Sequence, residues 1–295
     1  MLFALLLNPE AQRGRHSRLW PALTAALAAG GNEVRPLVGR NPQHAEDLAH
    51  AAVAEGVDAL IAAGGDGTLA GALQAAATTD TPLGIVPLGT GNDNARMLGI
   101  TSPVHAVRCI RAMQPRSVDV GRIDDDAGAR RYFLSVAAIG YDSQVGERMR
   151  GQTWPRGQTQ YLLSAIAELR NLGTPDFTLT LDGQRLAGPT VMAAVGNGAY
   201  YGGGMKVCPN AKMDDGLLHL TWVHAISRSR LLGMTPDLYR GTHVKRHYVT
   251  QLTGRQLRVE AAGQVAYAEG DRVADLPVTL RVLPGALRVL APAAK

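Results

Sequence analysis

The stretch "VDALIAAGGDGTLAGAL", Val57–Leu73, constrains the fold more than any other part of the chain. Val57–Ala63 is an apolar run of strand length. Gly64-Gly65-Asp66-Gly67-Thr68 follows at once, and Thr68–Ala77 then has helical spacing. A buried strand that turns directly into a helix is the unit of a parallel sheet covered on both faces. The unit recurs through the first 120 residues. Leu2–Leu7, Glu33–Val38 and Leu83–Val86 read as strands, and Ser17–Ala29, Pro42–Glu55 and Pro103–Met113 as helices. Gly30-Gly31 and Gly56 supply helix stop signals. The expectation for residues 1–120 is a doubly wound, mostly parallel α/β domain. Its ligands bind beyond the carboxyl ends of the strands.

The texture changes after about residue 120. Tyr132–Ala138 reads as a strand and Gln160–Leu172 as a helix. Phe177–Leu181, Thr190–Val195, Leu217–Val223, Gln256–Ala261, Val278–Leu283 and Ala286–Leu290 then read as short strands. Asp182-Gly183 is a hairpin-turn signal. Residues 121–295 are therefore expected to form a mostly antiparallel β-sandwich. The cleft between the two domains is the default site.

Composition narrows the function. A chain of 295 residues is long enough for two cores. Its net charge of +5 suits either an ordinary basic surface or attraction to an anion. No Lys/Arg block studded with aromatics is present, so nucleic acid is not the expected partner. Cys109 and Cys208 stand far apart, which excludes a disulfide framework and points to a reducing cytoplasm. His243 and His247 are four apart with no third ligand, against zinc. Ser17, Ser135 and Ser164 lack a nucleophile-elbow context. No stretch is long and apolar enough to span a bilayer, so any membrane contact is peripheral.

Glycines where a strand becomes a helix allow positive φ and close approach of the backbone to a ligand. The helix start adds free N–H groups and a positive dipole end, which suit phosphate. No Gly-Lys-Ser/Thr follows, so this is not a Walker loop. Asp66 repels phosphate unless it holds Mg²⁺; otherwise it caps the helix. A second loop, "PLGTGNDNA" at Pro87–Ala95, repeats the theme with Gly89-Thr90-Gly91. Thr90 can donate to a phosphate. Asn92 can cap a helix or bind ribose or phosphate, and Asp93 adds a second carboxylate. Asp119 in "SVDVGR" is a third.

"GGDGT" followed by "PLGTGND" resembles the catalytic domain of the diacylglycerol kinase family, in its bacterial lipid kinase branch. The first loop alone is shared with NAD kinases and, loosely, phosphofructokinases. Val195–Leu220, "VGNGAYYGGGMKVCPNAKMDDGLLHL", is similar to a further block of the bacterial enzymes. "NPEAQRGR" at Asn8–Arg15 and "FLSVAAIGYDSQV" at Phe133–Val145 extend the resemblance over most of the chain.

The resemblance implies a kinase that uses ATP and Mg²⁺ to phosphorylate a hydroxyl of a membrane lipid such as diacylglycerol. It implies that Asn8, Gly64, Gly65, Asp66, Gly67, Thr68, Thr90 and Asn92 bind ATP. Asp66, Asp93 and Asp119 form the network around the catalytic Mg²⁺. Lys212 and Leu217, through their carbonyls, and Asp215 hold a structural Mg²⁺; read from the residues alone, "KMDDG" is a turn between strands. The C-terminal strands return to the first domain. The family's base lies in a late Asp-Gly-Glu motif, matched by Glu269-Gly270-Asp271 with the acids swapped. Asp271 takes the base position, and Glu269 is its rival. Val38 stands where the family often has a threonine that donates to the nucleotide, so that contact is lost or made by a neighbour. Tyr200 and Tyr201 line an acyl pocket or pack in the core. The other readings are a kinase with a soluble acceptor, as in NAD kinases, and a non-catalytic nucleotide-binding protein. The identity of the lipid and the oligomeric state, a homodimer included, stay open.

Overall fold

The computed structural model describes residues 1–8, 19–149 and 158–293, the side chains of 158–162 aside. Ser17 and the residues of the Asn-Pro segment beyond Asn8 lie outside them. The chain divides into two compact units, Met1–Val118 with Gly285–Lys295, and Asp119–Pro284.

In the first unit strands and helices alternate: β1 (Leu2–Leu7), α1 (Trp20–Ala28), β2 (Glu33–Val38), α2 (Pro42–Ala54), β3 (Ala59–Gly64), α3 (Asp66–Ala76), β4 (Leu83–Pro87), α4 (Asp93–Met97) and α5 (Pro103–Ala112). The strands pair in parallel in the order β4-β3-β1-β2. A further parallel strand comes from the end of the chain, where Val289–Leu290 pair with Leu83–Gly84. Phe3–Leu7 and Ala59–Ala63 are buried, as strands covered on both faces must be. Pro36 sits in β2, whose free side needs no ladder donor. α2 packs with α3 and α1 with α5. Asn41 caps α2 by accepting from the His44 N–H at 2.8 Å, and Ser102 caps α5 from the His105 N–H at 3.1 Å. Each cap precedes a proline at the first helical position, where a missing N–H costs nothing.

The second unit holds β5 (Arg116–Asp125, which begins in the first), β6 (Arg130–Phe133), β7 (Val136–Gly140), α6 (Tyr141–Met149), α7 (Gln158–Glu168), β8 (Asp176–Leu181), β9 (Gln184–Gly196), β10 (Leu218–His224), α8 (Arg228–Arg240), β11 (Val249–Gly254), β12 (Gln256–Glu260), β13 (Val265–Ala268), β14 (Asp271–Asp275) and β15 (Val278–Leu290). β9 links two antiparallel layers. Gln184–Pro189 pairs with β8, and Thr190–Gly196 pairs with β7 and β10. Alternation then sorts the side chains. Ala137, Ile139, Ala193 and Val195 face a core shared with Phe133, Phe177 and Leu257. Val136, Met192 and Ala194 face Val145 of α6 and Leu231 and Met234 of α8.

Several sequence expectations change in detail. Tyr132–Ala138 is not one strand: it breaks at Leu134-Ser135, whose N–H groups serve a side chain described below. Val278–Leu283 and Ala286–Leu290 are one strand, β15. Glu269-Gly270 forms the hairpin turn between β13 and β14, with both residues left-handed, at φ 53° and 89°. That is the twist a two-residue hairpin needs.

Candidate active site

In the first unit, register brings three strand ends together. Leu7 lies opposite Ala63, and Gly64 opposite Pro87. Asn8, Gly64–Thr68 and Pro87–Asn92 therefore follow the carboxyl ends of three neighbouring strands. β1 sits between β2 and β3, so this edge includes the topological switch point.

The two glycine loops touch back to back. A Cβ on Gly89 would stand 2.5 Å from the Gly65 Cα, and one on Gly64 would stand 2.2 Å from the Thr68 Oγ1. None of Gly64, Gly65, Gly67, Gly89 and Gly91 has positive φ. Close approach, and not left-handed backbone, is thus what demands glycine at Gly64 and Gly89. A Cβ on Gly67 would meet nothing within 4 Å. The left-handed residue is Asn92, at φ 52°. Its side chain does not cap α4. It accepts from the Gly89 N–H at 2.9 Å and donates to the Gly89 carbonyl at 2.7 Å, which holds the second loop closed.

Asp66 is the first residue of α3, with Gly65 at the cap position, and it is half-buried. It lines a recess with Gly64, Gly65, Pro87 and Asn92. Thr90 is exposed and Thr68 is buried. Asp93 is buried and pairs with Arg96 at 2.6 Å. Val38, at the end of β2, is exposed. The oxygen donors Asp66 and Asp93 suit a hard cation, and Mg²⁺ commonly takes one or two carboxylates plus waters and phosphate oxygens. In that sense the first unit fits Mg²⁺.

In the second unit a polar network joins the remaining residues. Asp119 is buried in β5. Its N–H donates to the Met213 carbonyl at 2.7 Å, and its Oδ2 accepts from the Gly216 N–H at 2.6 Å. Asn197, fully buried after β9, donates from Nδ2 to the carbonyls of Asp119 (3.0 Å) and Leu134 (2.9 Å). The N–H groups of Asn197 and Gly198 donate to the Ser135 carbonyl. Glu269 Oε1 accepts from the Leu134 N–H (2.7 Å), the Ser135 N–H (2.8 Å) and the Ser135 hydroxyl (3.0 Å). Asp271, two residues on, is the exposed first residue of β14. Through these three bonds Oε1 of Glu269 anchors the turn that carries Asp271.

Asp215 lies in the turn before β10. Its Oδ1 accepts from the Leu217 N–H at 3.1 Å, and its Oδ2 pairs with His219 Nε2 at 2.8 Å. Lys212 is exposed and Leu217 half-buried. Among the described residues no cluster of three or more His, Cys, Asp or Glu could hold a metal. A cation at this turn therefore relies on backbone carbonyls and competes with His219 for Asp215.

A small apolar cavity of about 50 Å³ lies among α6, α7, α8 and β9. Met192, Met205, Leu231 and Leu238 form its walls, with Tyr141 and Asp142 at the polar side. The Tyr141 hydroxyl donates to the Ala165 carbonyl. Burial pushes its phenol well above the usual range, and the Asp142 and Glu168 carboxylates add to the shift. Tyr200 and Tyr201 do not line this cavity: Tyr201 packs on the core and Tyr200 lies under Lys206. Burial pushes the Cys208 thiol up to about 12, so it is not a nucleophile.

Sequence reasoning missed Asn197, His219, Asp142 and the anchoring role of Glu269. The cavity had one signal, Leu231 and Leu238 seven residues apart on a helical pattern interrupted by Pro236.

The chain is similar to known proteins over most of its length. The diacylglycerol kinase catalytic domain matches residues 3–123, and the YegS C-terminal NAD kinase beta sandwich-like domain matches residues 135–291. A protein of Mycobacterium tuberculosis (strain CDC 1551 / Oshkosh) named "Diacylglycerol kinase" is 39% identical over 97% of this chain and 94% of its own. A "Probable lipid kinase YegS-like" of Stenotrophomonas maltophilia (strain K279a) is 32% identical over 68% of this chain and 72% of its own. Two solved structures share the fold. One is a diacylglycerol kinase of Bacillus anthracis str. Sterne, with TM-score 0.71 and 22% identity over 99% of this chain and 96% of that one. The other is an NAD kinase of Archaeoglobus fulgidus in complex with ATP, with TM-score 0.59 and 14% identity over 99% and 94%.

Proposed function

Because this chain belongs to the diacylglycerol kinase family, we propose that it transfers the γ-phosphoryl group of ATP to a hydroxyl of a membrane lipid such as diacylglycerol. The first unit binds the nucleotide. Backbone N–H groups of Gly64, Gly65 and Gly67 and the start of α3 meet the phosphates, with Thr68, Thr90 and Asn8 beside them. The Asn92 amide acts by keeping the second loop shut on Gly89. Asp66 and Asp93 hold Mg²⁺ directly or through water; Asp119, in the second unit, braces the turn before β10 through the Met213 carbonyl and the Gly216 N–H. When bound, Mg²⁺ neutralises charge that builds on the phosphates during transfer.

The second unit handles the acceptor. Asp271 takes the proton from the lipid hydroxyl as the new O–P bond forms. Glu269 fixes the turn that presents it. The observation that supports a lipid over a soluble acceptor is the apolar cavity, since Met and Leu walls suit an acyl chain and not a polar nucleoside. No helix among the described residues is long and apolar enough to cross a membrane. In this reading the enzyme meets its lipid at the membrane surface as a peripheral protein.

The test is phosphoryl transfer from ATP and Mg²⁺ to a panel of lipids in mixed micelles, with NAD as the soluble alternative. Lipid-dependent product is expected. Transfer to NAD alone, or ATP binding without any transfer, would replace the reading with one of its two rivals.

A further inference from the structure

The hairpin that carries Asp271 lies at the edge of its sheet. Among the described residues β14 pairs with β13 alone, Asp271–Asp275 against Val265–Ala268. Strands of four and five residues are marginal as an isolated hairpin and need further support. Glu269 fixes the turn itself, through Leu134 and Ser135. α6 supports the strands. Tyr267 of β13 lies opposite Arg272 of β14, and both side chains reach one oxygen of Glu147. The Tyr267 hydroxyl donates to Oε1 at 2.6 Å, and the Arg272 Nε stands 3.2 Å from it. Asp275 holds the other end of that guanidinium, its Oδ1 2.6 Å from Nη2. The helix comes close enough for this because Gly146 has no side chain. A Cβ there would stand 2.8 Å from the Tyr267 Cε1.

We propose that Glu147 is a positioning residue for phosphoryl transfer: it locks both strands of the hairpin to α6 and so fixes Asp271. The inference rests on the reading of Asp271 as the base. Glu147 does not touch the reacting atoms. Neighbouring side chains of a strand point to opposite faces, so Arg272 turns towards α6 while Asp271 is presented on the other side. The same helix belongs to the lipid site. Tyr141 and Asp142, in its first turn, line the apolar cavity, and Val145 packs with Val136 and Met192. At 1.5 Å per residue, Glu147 stands about 7.5 Å along the axis from Asp142. One short helix thus sets the distance between the cavity for the acyl chain and the hairpin that carries the base. A carboxylate is what this junction needs. It accepts from a neutral hydroxyl and from a guanidinium at once, and the charge strengthens both bonds. An amide would keep an acceptor for Tyr267 and lose the charge that faces Arg272.

The test is a double-mutant cycle on turnover, measured with radiolabelled ATP and diacylglycerol in mixed micelles. Glu147→Ala should lower kcat about 10–10²-fold, the scale of a misplacement of about 1 Å, with the KM for ATP unchanged. Glu147→Gln should fall between that variant and the wild type. In the Asp271→Asn background Glu147→Ala should lower kcat no further, because the group it positions is already gone. A loss that repeats in full in that background, or wild-type turnover by Glu147→Ala, overturns the inference. A merely structural role would lower the melting temperature without sensing Asp271. Hydrogen exchange reads the lock without any turnover. The amides of residues 265–275 should exchange faster in Glu147→Ala, and unchanged protection there also overturns the inference. Wild-type activity of Asp271→Asn removes the base reading, and the inference with it; that variant alone tells the two failures apart.

Discussion

Asn197 is the residue on which the second unit's candidate groups depend. Its Nδ2 reaches the carbonyls of Asp119 and Leu134, and the Ser135 amide and hydroxyl reach Glu269. Asp119 and the turn of Asp271 are thereby fixed on one scaffold. Asn197→Asp keeps the shape and turns a donor into an acceptor facing two carbonyls. It should cost about 1–3 kcal/mol of stability. Turnover should fall about 10²-fold, as for a misplacement of about 1 Å, with the KM for ATP unchanged. Steady-state kinetics beside thermal melts check this, and a rise in that KM with turnover intact would contradict it. Asp271→Asn should retain ATP binding and lose about 10²–10⁴ in turnover. If Glu269→Gln is inactive and Asp271→Asn active, the base is Glu269. Across the first unit's loops, Gly89→Ala should weaken ATP binding, because its Cβ would lie 2.5 Å from the Gly65 Cα. Binding by calorimetry is the measurement, and a wild-type affinity would remove the close-approach explanation.

At the scale of elements, what the sequence made legible followed from periodicity. The parallel strands β1, β3 and β4 are continuous apolar runs, and their helices end in glycine or are capped by Asn41 and Ser102, so both type and order could be read. The loops at Gly64–Thr68 and Pro87–Asn92 were legible for the same reason, since they interrupt a strong pattern. α8 was missed because Pro236 sits inside it, although Ser227 caps its start and Gly241, at φ 70°, closes its end. The β6–β7 break was invisible because its cause, the Glu269 carboxylate, lies 134 residues away. His243, in the turn after α8, was read only as half of a failed zinc pair. It is fully buried, and Nε2 contacts the Val207 carbonyl at 2.9 Å. Burial holds its pKa below the ordinary 6.5. The unfolded chain then binds the proton more readily, so stability is complete above about pH 6.5 and declines as the pH falls below it. His243→Gln should flatten that decline in urea titrations at pH 7 and pH 5.5. An unchanged slope would assign the acid sensitivity to other groups.

At the scale of the whole molecule, each compact unit carries one half of the proposed chemistry. Glycine loops and carboxylates for phosphate and metal lie in the first, and the apolar cavity and the Glu269-Gly270-Asp271 turn lie in the second. That division makes the two substrates separable by mutation. Leu238→Trp adds bulk to a cavity wall on α8. If an acyl chain occupies the cavity, the larger side chain shortens the space for it and leaves the nucleotide loops untouched. The KM for long-chain diacylglycerol should rise about tenfold, about 1.4 kcal/mol of lost binding. The KM for ATP and turnover on a short-chain diacylglycerol should stay near wild type. Asp66→Ala should show the reverse pattern, a folded protein that still binds lipid micelles and transfers no phosphate to any acceptor. A uniform loss on long and short chains in Leu238→Trp, with an unchanged melting temperature, would show that the cavity does not sense chain length and would place the acyl chain elsewhere in the second unit.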